Sequence, residues 1–360
     1  MPRTAIRLEV LPAAYGDCLL IECPVGKRTW RMLVDTGPDD TYPALRARLA
    51  AVTPDTDGRR HIDLFIVTHI DHDHIGSAGR LLADRSLKLN FGDVWFNAPG
   101  ERRARGVKEG QALAEMLGAP GVVLPWNRAF GGGHAVTPEG QFLEVANGRG
   151  SPRLTLLSPT PERLTRLFKV WERELAKLDK MPERKAPKPL PRAAFDPDLA
   201  ALANRTTAKD RAVANGSSVA LLLEHRGASV LLAADAFAPV LASALRAMAQ
   251  QRGTPLPLQL DAFKLSHHGS QANISTELFE CVQARHHVVS TNGAIFGHPD
   301  DTAIARTILL GGSNQTLWFN DGSERNRRWG TGSLQAKHGY STRYPAENEA
   351  GVTLALKTTA

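Results

Sequence analysis

The chain has 360 residues, 42% of them hydrophobic and 22% charged, with a formal net charge of +7 and a pI near 9.5. That length buries a full core, as one large domain or two modest ones, and the composition is that of a soluble globular protein. No apolar stretch is long enough to span a bilayer, residues 1–5 lack the apolar core of a signal peptide, and Cys18, Cys23 and Cys281 are too few for a disulfide framework. A cytoplasmic location without a membrane partner is expected, and the positive charge favours anionic partners such as nucleic acid.

Apolar runs at 6–11, 18–23 and 30–34, separated by Gly and Pro, predict three strands. A helix is predicted over 42–52, where Ala44, Leu45, Leu49 and Val52 share a face. The β-branched run 62–67 predicts a buried strand, followed by a loop rich in His and Asp, a helix to about residue 84, a strand at 94–97 and a helix at 107–117. Residues 160–212 break the rhythm. Leu164, Leu167, Phe168, Trp171, Leu175 and Leu178 recur at helical spacing, and Arg166, Lys169, Arg173, Lys177 and Lys180 form a basic stripe on another face. A Pro/Lys-rich segment, 181–192, follows and is predicted to be extended. This basic, partly helical insertion is either a solvated face or a clamp for a phosphate backbone. Further strands are predicted at 154–157, 218–223, 230–233, 263–265, 287–290, 315–319 and 352–356, with helices at 239–251, 276–284 and 302–310. Two strand-rich halves with interspersed helices predict an α/β protein. Its two mixed sheets stack with helices on both outer faces, as one domain over 1–360 with the insertion inside it.

The densest chemistry lies at residues 67–76, Val-Thr-His-Ile-Asp-His-Asp-His-Ile-Gly. His69, Asp71, Asp73 and His74 follow directly on a strand, so a strand-to-helix loop can aim them from a rigid scaffold. Imidazole nitrogen with carboxylate oxygen suits Zn, Mn or Fe, and the thiolates of a structural zinc site are missing. Ligands this close in sequence cannot all reach one ion from one side, so two adjacent divalent ions are expected, Zn or Mn foremost. More candidates end apolar runs downstream: Asp235, the pair His267 and His268, and His298 in the tight loop 296–299. They converge if the strand ends meet at one edge of the sheets. The run Gly131-Gly132-Gly133 reads as a flexible loop, since no P-loop lysine follows it.

The stretch Thr68-His69-Ile70-Asp71-His72-Asp73-His74-Ile75-Gly76 resembles the Thr-His-x-His-x-Asp-His-x-Gly motif of metallo-β-lactamase-fold hydrolases. Asp71 stands where most members carry the second His, which is similar to the branch holding the ComEC-type DNA-uptake domain and bacterial phosphorylcholine esterases. Tyr15-Gly16-Asp17-Cys18, Leu33-Val34-Asp35-Thr36-Gly37, Asn215-Gly216-Ser217-Ser218, Leu231-Leu232-Ala233-Ala234-Asp235, Ser266-His267-His268-Gly269-Ser270, Asn273-Ile274-Ser275 and Gly297-His298-Pro299 match in order. The resemblance covers about 5–310 outside the insertion and implies an αββα sandwich. It departs at Ala234, where Gly is usual, and in lacking a clear mid-chain His; His134 and Asn215 are the candidates there.

On this resemblance His69 and Asp71 hold one ion, Asp73 and His74 the second, and Asp235 bridges both. His268 is the expected further ligand and His267 the phosphate contact, although the sequence leaves their division open. Asp35 is expected to orient a ligand His, with Asn215 in a similar supporting place. His298 contacts substrate or protonates the leaving group, and Asp73 orients the nucleophile when not committed to metal. His72 faces solvent or substrate. His61, His225, His286, His287 and His338 lack companions and read as structural.

The implied activity is metal-dependent hydrolysis by a hydroxide activated between two ions, with a phosphodiesterase, specifically a nuclease, as the leading expectation. Arg166, Lys169, Arg173 and Lys177 would then contact the nucleic acid. The alternatives are a small phosphodiester substrate of phosphocholine or cyclic-nucleotide type, or a metal-containing nucleic-acid-binding module with little turnover. Protein partners are not legible.

Overall fold

The computed structural model describes residues 3–99, 124–145, 150–171, 197–347 and 349–358, with 113, 115–117, 148, 173 and 195 beside them. In the first half run β1 (Thr4–Val10), β2 (Leu19–Val25), β3 (Arg28–Val34), β4 (Arg60–Ile66) and β5 (Leu89–Trp95). The second half supplies β6 (Leu143–Val145), β7 (Arg153–Ser158), β8 (Ala220–His225), β9 (Ala228–Leu232), β10 (Leu258–Lys264), β11 (Val282–Val289), β12 (Thr316–Phe319) and β13 (Ser341–Arg343). The last strand, β14 (Val352–Lys357), returns to pair with β1. Among the described residues one sheet has the order β14-β1-β2-β3-β4-β5 and the other β13-β12-β11-β10-β9-β8-β7-β6. Both are mixed. β3, β4 and β5 are parallel in the first, β9 to β13 in the second, and the remaining pairs are antiparallel.

Strand alternation builds three apolar layers. Leu64 and Ile66 of β4 turn inward and meet Leu221, Leu223, Val230 and Leu232 of the opposite sheet. Phe65 and Val67 turn outward, beneath Leu45 and Leu49 of the helix Tyr42–Ala50 and Leu164 and Leu167 of the helix Pro161–Lys169. On the other outer face Leu222, Leu231 and Phe263 pack under Leu241, Leu245 and Met248 of the helix Ala238–Arg252, and under Ile304 and Ile308 of Asp301–Leu310. Period-two burial in the strands and period-3.6 burial in the helices thus give the expected αββα sandwich. No helix among the described residues is long and apolar enough to cross a membrane.

Several boundaries differ from the sequence expectation. The helix predicted over 276–284 ends at Phe279, because Val282 already pairs with Leu258 in the ladder of β10 and β11. Sheet pairing of a β-branched run overrides a short helical pattern there. The helix expected from the ligand loop to residue 84 is two pieces, His72–Ile75 and Ala78–Ala83. The strands expected at 94–97 and 263–265 are the longer β5 and β10. Within 160–212 the helix stops at Lys169, and Leu199–Ala203 forms another helix whose Leu199 and Leu202 enter the core. The segment 181–192, most of the helix predicted at 107–117, and Leu175, Lys177, Leu178 and Lys180 lie outside the described residues.

The parallel strands stop in register. Val34 is level with Ile66 and Ile66 with Trp95, while Leu232 is level with Lys264 and Lys264 with Val288. The carboxyl ends of β3, β4, β9, β10 and β11 therefore open on one edge of the sandwich. Backbone bonds tie the two sheets together at that edge: Val219 N donates to Thr68 O at 3.0 Å and Asn292 N to Ala14 O at 2.8 Å.

Candidate metal centre

Each strand end delivers one part of a buried cluster. β3 leads into Asp35, β4 into Thr68 and His69, the short helix after β4 carries Asp73 and His74, β9 leads into Asp235, and β10 into His267 and His268. The backbone is forced to make these turns. Asp35, Ala234, His267 and His268 all have left-handed φ, of 56°, 45°, 48° and 54°. L-residues adopt this conformation at a cost of about 1 kcal/mol or more each, so the packing around them must hold them there. Ala234 takes the left-handed turn for which glycine is usual, and keeps it despite its Cβ. Gly16, in contrast, is obligatory, since a Cβ would stand 1.9 Å from Asp73 O.

Hydrogen bonds fix which ring nitrogen of each histidine faces the cluster. His74 Nδ1 donates to Asp35 Oδ2 at 2.8 Å, and His268 Nδ1 donates to Ser290 O at 2.8 Å. Thr68 Oγ1 donates to Asp35 Oδ2 at 2.8 Å, so its lone pair accepts from His69 Nδ1 at 3.0 Å. Asp35 Oδ1 also accepts from Thr68 N at 2.8 Å. His267 Nδ1 lies 3.0 Å from Asn273 Oδ1, and Asn273 Nδ2 donates elsewhere, so His267 Nδ1 is again the donor. All four Nε2 atoms therefore present lone pairs to the same space.

That space is lined by carboxylates. His74 Nε2 and His268 Nε2 stand 3.2 Å apart, with Asp73 Oδ2 3.2 Å from His268 Nε2 and Asp235 Oδ1 3.4 Å from His74 Nε2. On the other side, His69 Nε2 is 3.6 Å from Asp71 Oδ2 and 3.9 Å from Asp235 Oδ2, and His267 Nε2 is 3.6 Å from the same Asp235 oxygen. Asp235 thus turns one oxygen to His74 and His268 and the other to His69 and His267. His69 Nε2 and Asp235 Oδ1 are buried without any hydrogen-bond partner.

Two opposed imidazole lone pairs repel unless a cation lies between them. The field of the site favours positive charge there, whether a shared proton or a cation. Burial disfavours the charged rings, yet Asp235, Asp35 and Asp73 raise His74 well above its ordinary pKa. Against the same desolvation, Asp235 and Asp210 push His267 up to about 9, and Asp17 with Asp235 pushes His268 up to about 10. Burial likewise penalises the Asp235 carboxylate, but His267, His74 and His268 hold it well below the usual range. Two imidazoles bound to one tetrahedral Zn stand about 3.3 Å apart, given bonds of about 2.0–2.1 Å. The residues present fit divalent cations in two adjoining nests, Asp73, His74, His268 and Asp235 in one and His69, Asp71, His267 and Asp235 in the other. Among the described residues the buried sets Asp17, His74, His268 and His69, His74, Asp235 each bring three ligand atoms within 4.8 Å of one another.

The structure adds residues that sequence reasoning did not assign. Lys264 is wholly buried in a strand read as apolar, and its Nζ pairs with Asp17 Oδ2 at 2.8 Å, while Asp17 Oδ1 lies 3.4 Å from His268 Nδ1. A lysine inside an apolar run and an aspartate in the Tyr15-Gly16-Asp17 turn were the available signals. Asp210 gave none. Its Oδ2 accepts from Asn215 Nδ2 at 2.8 Å and from Asn273 Nδ2 at 3.1 Å, and lies 3.4 Å from His267 Nδ1. Asn215 thus braces His267 through Asp210, and its Nδ2 also lies 3.3 Å from His267 Nδ1. His134 lies apart, with its Nε2 at Ala98 O (3.0 Å) and its ring against Phe168. His298 flanks the cluster, its ring centroid 5.1 Å from that of His267, and burial lowers its pKa while Asp300 opposes. His61, His225 and His286 meet Asp63, Pro24 O and Trp318, away from the site.

A sandwich with two mixed sheets and a His/Asp cluster at the carboxyl ends of its strands defines a class of metal-binding proteins. The family model of the metallo-beta-lactamase superfamily matches residues 12–293, and the chain belongs to that superfamily. Among solved structures it is similar to the metallo-beta-lactamase fold protein YhfI from Bacillus subtilis, at 13% identity and a TM-score of 0.42, covering 97% of this chain and 99% of that one. It is also similar to CmlA, a diiron beta-hydroxylase from Streptomyces venezuelae, at 15% identity and a TM-score of 0.36, covering 99% of this chain and 55% of that one. No curated protein matches.

Proposed function

We propose that the chain is a metal-dependent phosphodiesterase acting on nucleic acid. The observation that carries this reading is the carboxylate-rich double nest, with Asp235 facing both halves and Asp71 in place of a neutral imidazole. Extra carboxylate charge suits ions that must hold an anionic phosphodiester and an attacking oxygen together. Divalent ions bound there supply a water acidic enough to attack at neutral pH and a Lewis acid for the phosphoryl oxygen. Asp73, through the oxygen not turned to His268, would accept a hydrogen bond from the attacking water and orient it. His267, with its side chain 22% exposed against 0% for His69, His74 and His268, is the ligand imidazole on the open side of the cluster, past which a phosphate would enter. His298, beside it, would donate a hydrogen bond from its neutral ring to the leaving oxygen, which takes its proton from solvent water.

Lys169 at the end of the helix Pro161–Lys169 and Arg173 beyond it are exposed, and Arg166 is held across one turn by Glu162 at 2.6 Å. With Lys177, which lies outside the described residues, they are the proposed contact to the phosphate backbone. Loaded with Mn²⁺ or Zn²⁺, the protein should cut single- or double-stranded DNA or RNA, stop on chelation, and lose activity as Asp73→Ala and Asp235→Ala. Turnover of bis-p-nitrophenyl phosphate without any polynucleotide cleavage would assign a small phosphodiester instead. Binding of DNA with a steep salt slope but no cleavage with either metal would make the chain a binding module. Neutralising Arg166, Lys169, Arg173 and Lys177 should flatten the slope by about 0.7–0.9 for each phosphate that no longer meets a cation.

A further inference from the structure

Phe296 is the most exposed large apolar side chain among the described residues, at 50%, and it stands at the mouth of the metal centre. Its ring centroid is 6.3 Å from that of His298, which is 5.1 Å from His267, whose Nε2 is 3.6 Å from Asp235. Tyr15 meets Phe296 edge-on at 5.9 Å, so one side of the ring is braced.

The loop that carries Phe296 is pinned at both ends. Asn292 N donates to Ala14 O at 2.8 Å, Ala294 N to Asn292 Oδ1 at 2.9 Å, and Asp300 N to Gly269 O at 3.0 Å. Arg325 Nη1 reaches Pro299 O at 3.1 Å, and Gln271 N donates to Asp300 Oδ2 at 2.8 Å. A side chain held half in water by so many bonds is kept out by the loop, at a loss of burial that a bound partner would recover. The wall from Phe296 to His298 leads from solvent to the cluster. The groups at that opening are polar or aromatic: Asp71 with its side chain 39% exposed, His267 at 22% and His298 at 14%.

We propose that Phe296, braced by Tyr15, is a stacking platform for the nucleobase next to the scissile phosphodiester, and so selects nucleotides over other phosphodiesters. This rests on the phosphodiesterase reading. A flat base covers a phenyl face without needing a matched hydrogen-bond donor, so the platform tolerates every base. Phe296 acts on binding of the substrate and takes no part in the proton transfers.

The test compares two substrates of the Mn²⁺-loaded enzyme, the p-nitrophenyl ester of thymidine 5′-phosphate and methyl p-nitrophenyl phosphate, which lacks a base. Loss of a stacked ring should cut the preference in kcat/KM for the thymidine ester by about tenfold in Phe296→Ala, carried by KM, and Phe296→Trp should restore it. An unchanged preference, or an equal fall on both esters, overturns the platform. If the wild type cleaves neither ester, the phosphodiesterase reading fails separately. The platform is then read from the anisotropy of a short fluorescein-labelled oligothymidylate with the Mn²⁺-loaded protein, the oligonucleotide checked to be intact afterwards. About tenfold weaker binding by Phe296→Ala with recovery in Phe296→Trp supports the platform, and equal binding overturns it.

Discussion

Asp35 shows how much one side chain can decide. Its carboxylate accepts from Thr68 N, Thr68 Oγ1 and His74 Nδ1, and through Thr68 it also sets the ring of His69. Asparagine is nearly isosteric but brings an NH₂ that cannot accept from His74 or Thr68. Asp35→Asn should therefore lower metal affinity by about 10–100-fold while near-UV circular dichroism stays that of the folded chain. Unchanged Zn²⁺ affinity in a competition titration would show that the rings are oriented by other contacts. Asp17 and Lys264 play a similar part beneath His268. Burial opposes the charge of Asp17, but the Lys264 ammonium and His268 hold its carboxyl far below the usual range, so it stays a charged acceptor.

At the scale of elements, β11 carries a cost that the site does not explain. His287 is fully buried between Phe263 and Phe279, and both ring nitrogens lack a partner. Burial, with a smaller push from His286, lowers its pKa from 6.5 to about 3. Between those values the unfolded chain binds a proton that the folded one refuses, so stability falls as pH drops through this window and the loss vanishes above about 6.5. Relative to His287→Leu, the wild type should lose about 2 kcal/mol between pH 7 and pH 5 in urea unfolding. Parallel pH dependence of the two proteins would refute the buried neutral ring. Strand and helix identities were largely legible here, because apolar period and length announce them. The helix over 276–284 failed at its end because pairing of β11 with β10 and β12 decides where a strand begins, and no local residue records that.

For the whole molecule, the cluster joins the two sheets. His69, Asp71, Asp73 and His74 come from the β4 side and Asp235, His267 and His268 from the β9 and β10 side. Cations bound there would hold both sheets to one point and relieve the repulsion of facing lone pairs and carboxylates. Zn²⁺ or Mn²⁺ at 1,000 times Kd should stabilise the fold by about 4 kcal/mol, with chelation reversing the gain and Asp235→Ala largely abolishing it. A melting temperature indifferent to both metal and chelator would rule out a resident ion. Metal analysis should find two ions per chain, since Asp235 has one oxygen in each nest.

The local motif sufficed to place His69, Asp71, Asp73 and His74 on a loop after a strand, and the apolar runs before Asp235, His267 and His268 marked them as strand-end residues. Residues close in the chain share a short tether, and their spacing alone limits where they can point. Only the tertiary structure decided that Asp235 divides its oxygens between two nests, that His267 and His268 face different halves, and that Asp210 and Lys264 stand behind them. Those relations depend on the register of β3, β4, β9, β10 and β11 and on the backbone turns at Ala234, His267 and His268. Register is set by pairing between segments distant in the chain, which spacing within any one segment cannot encode.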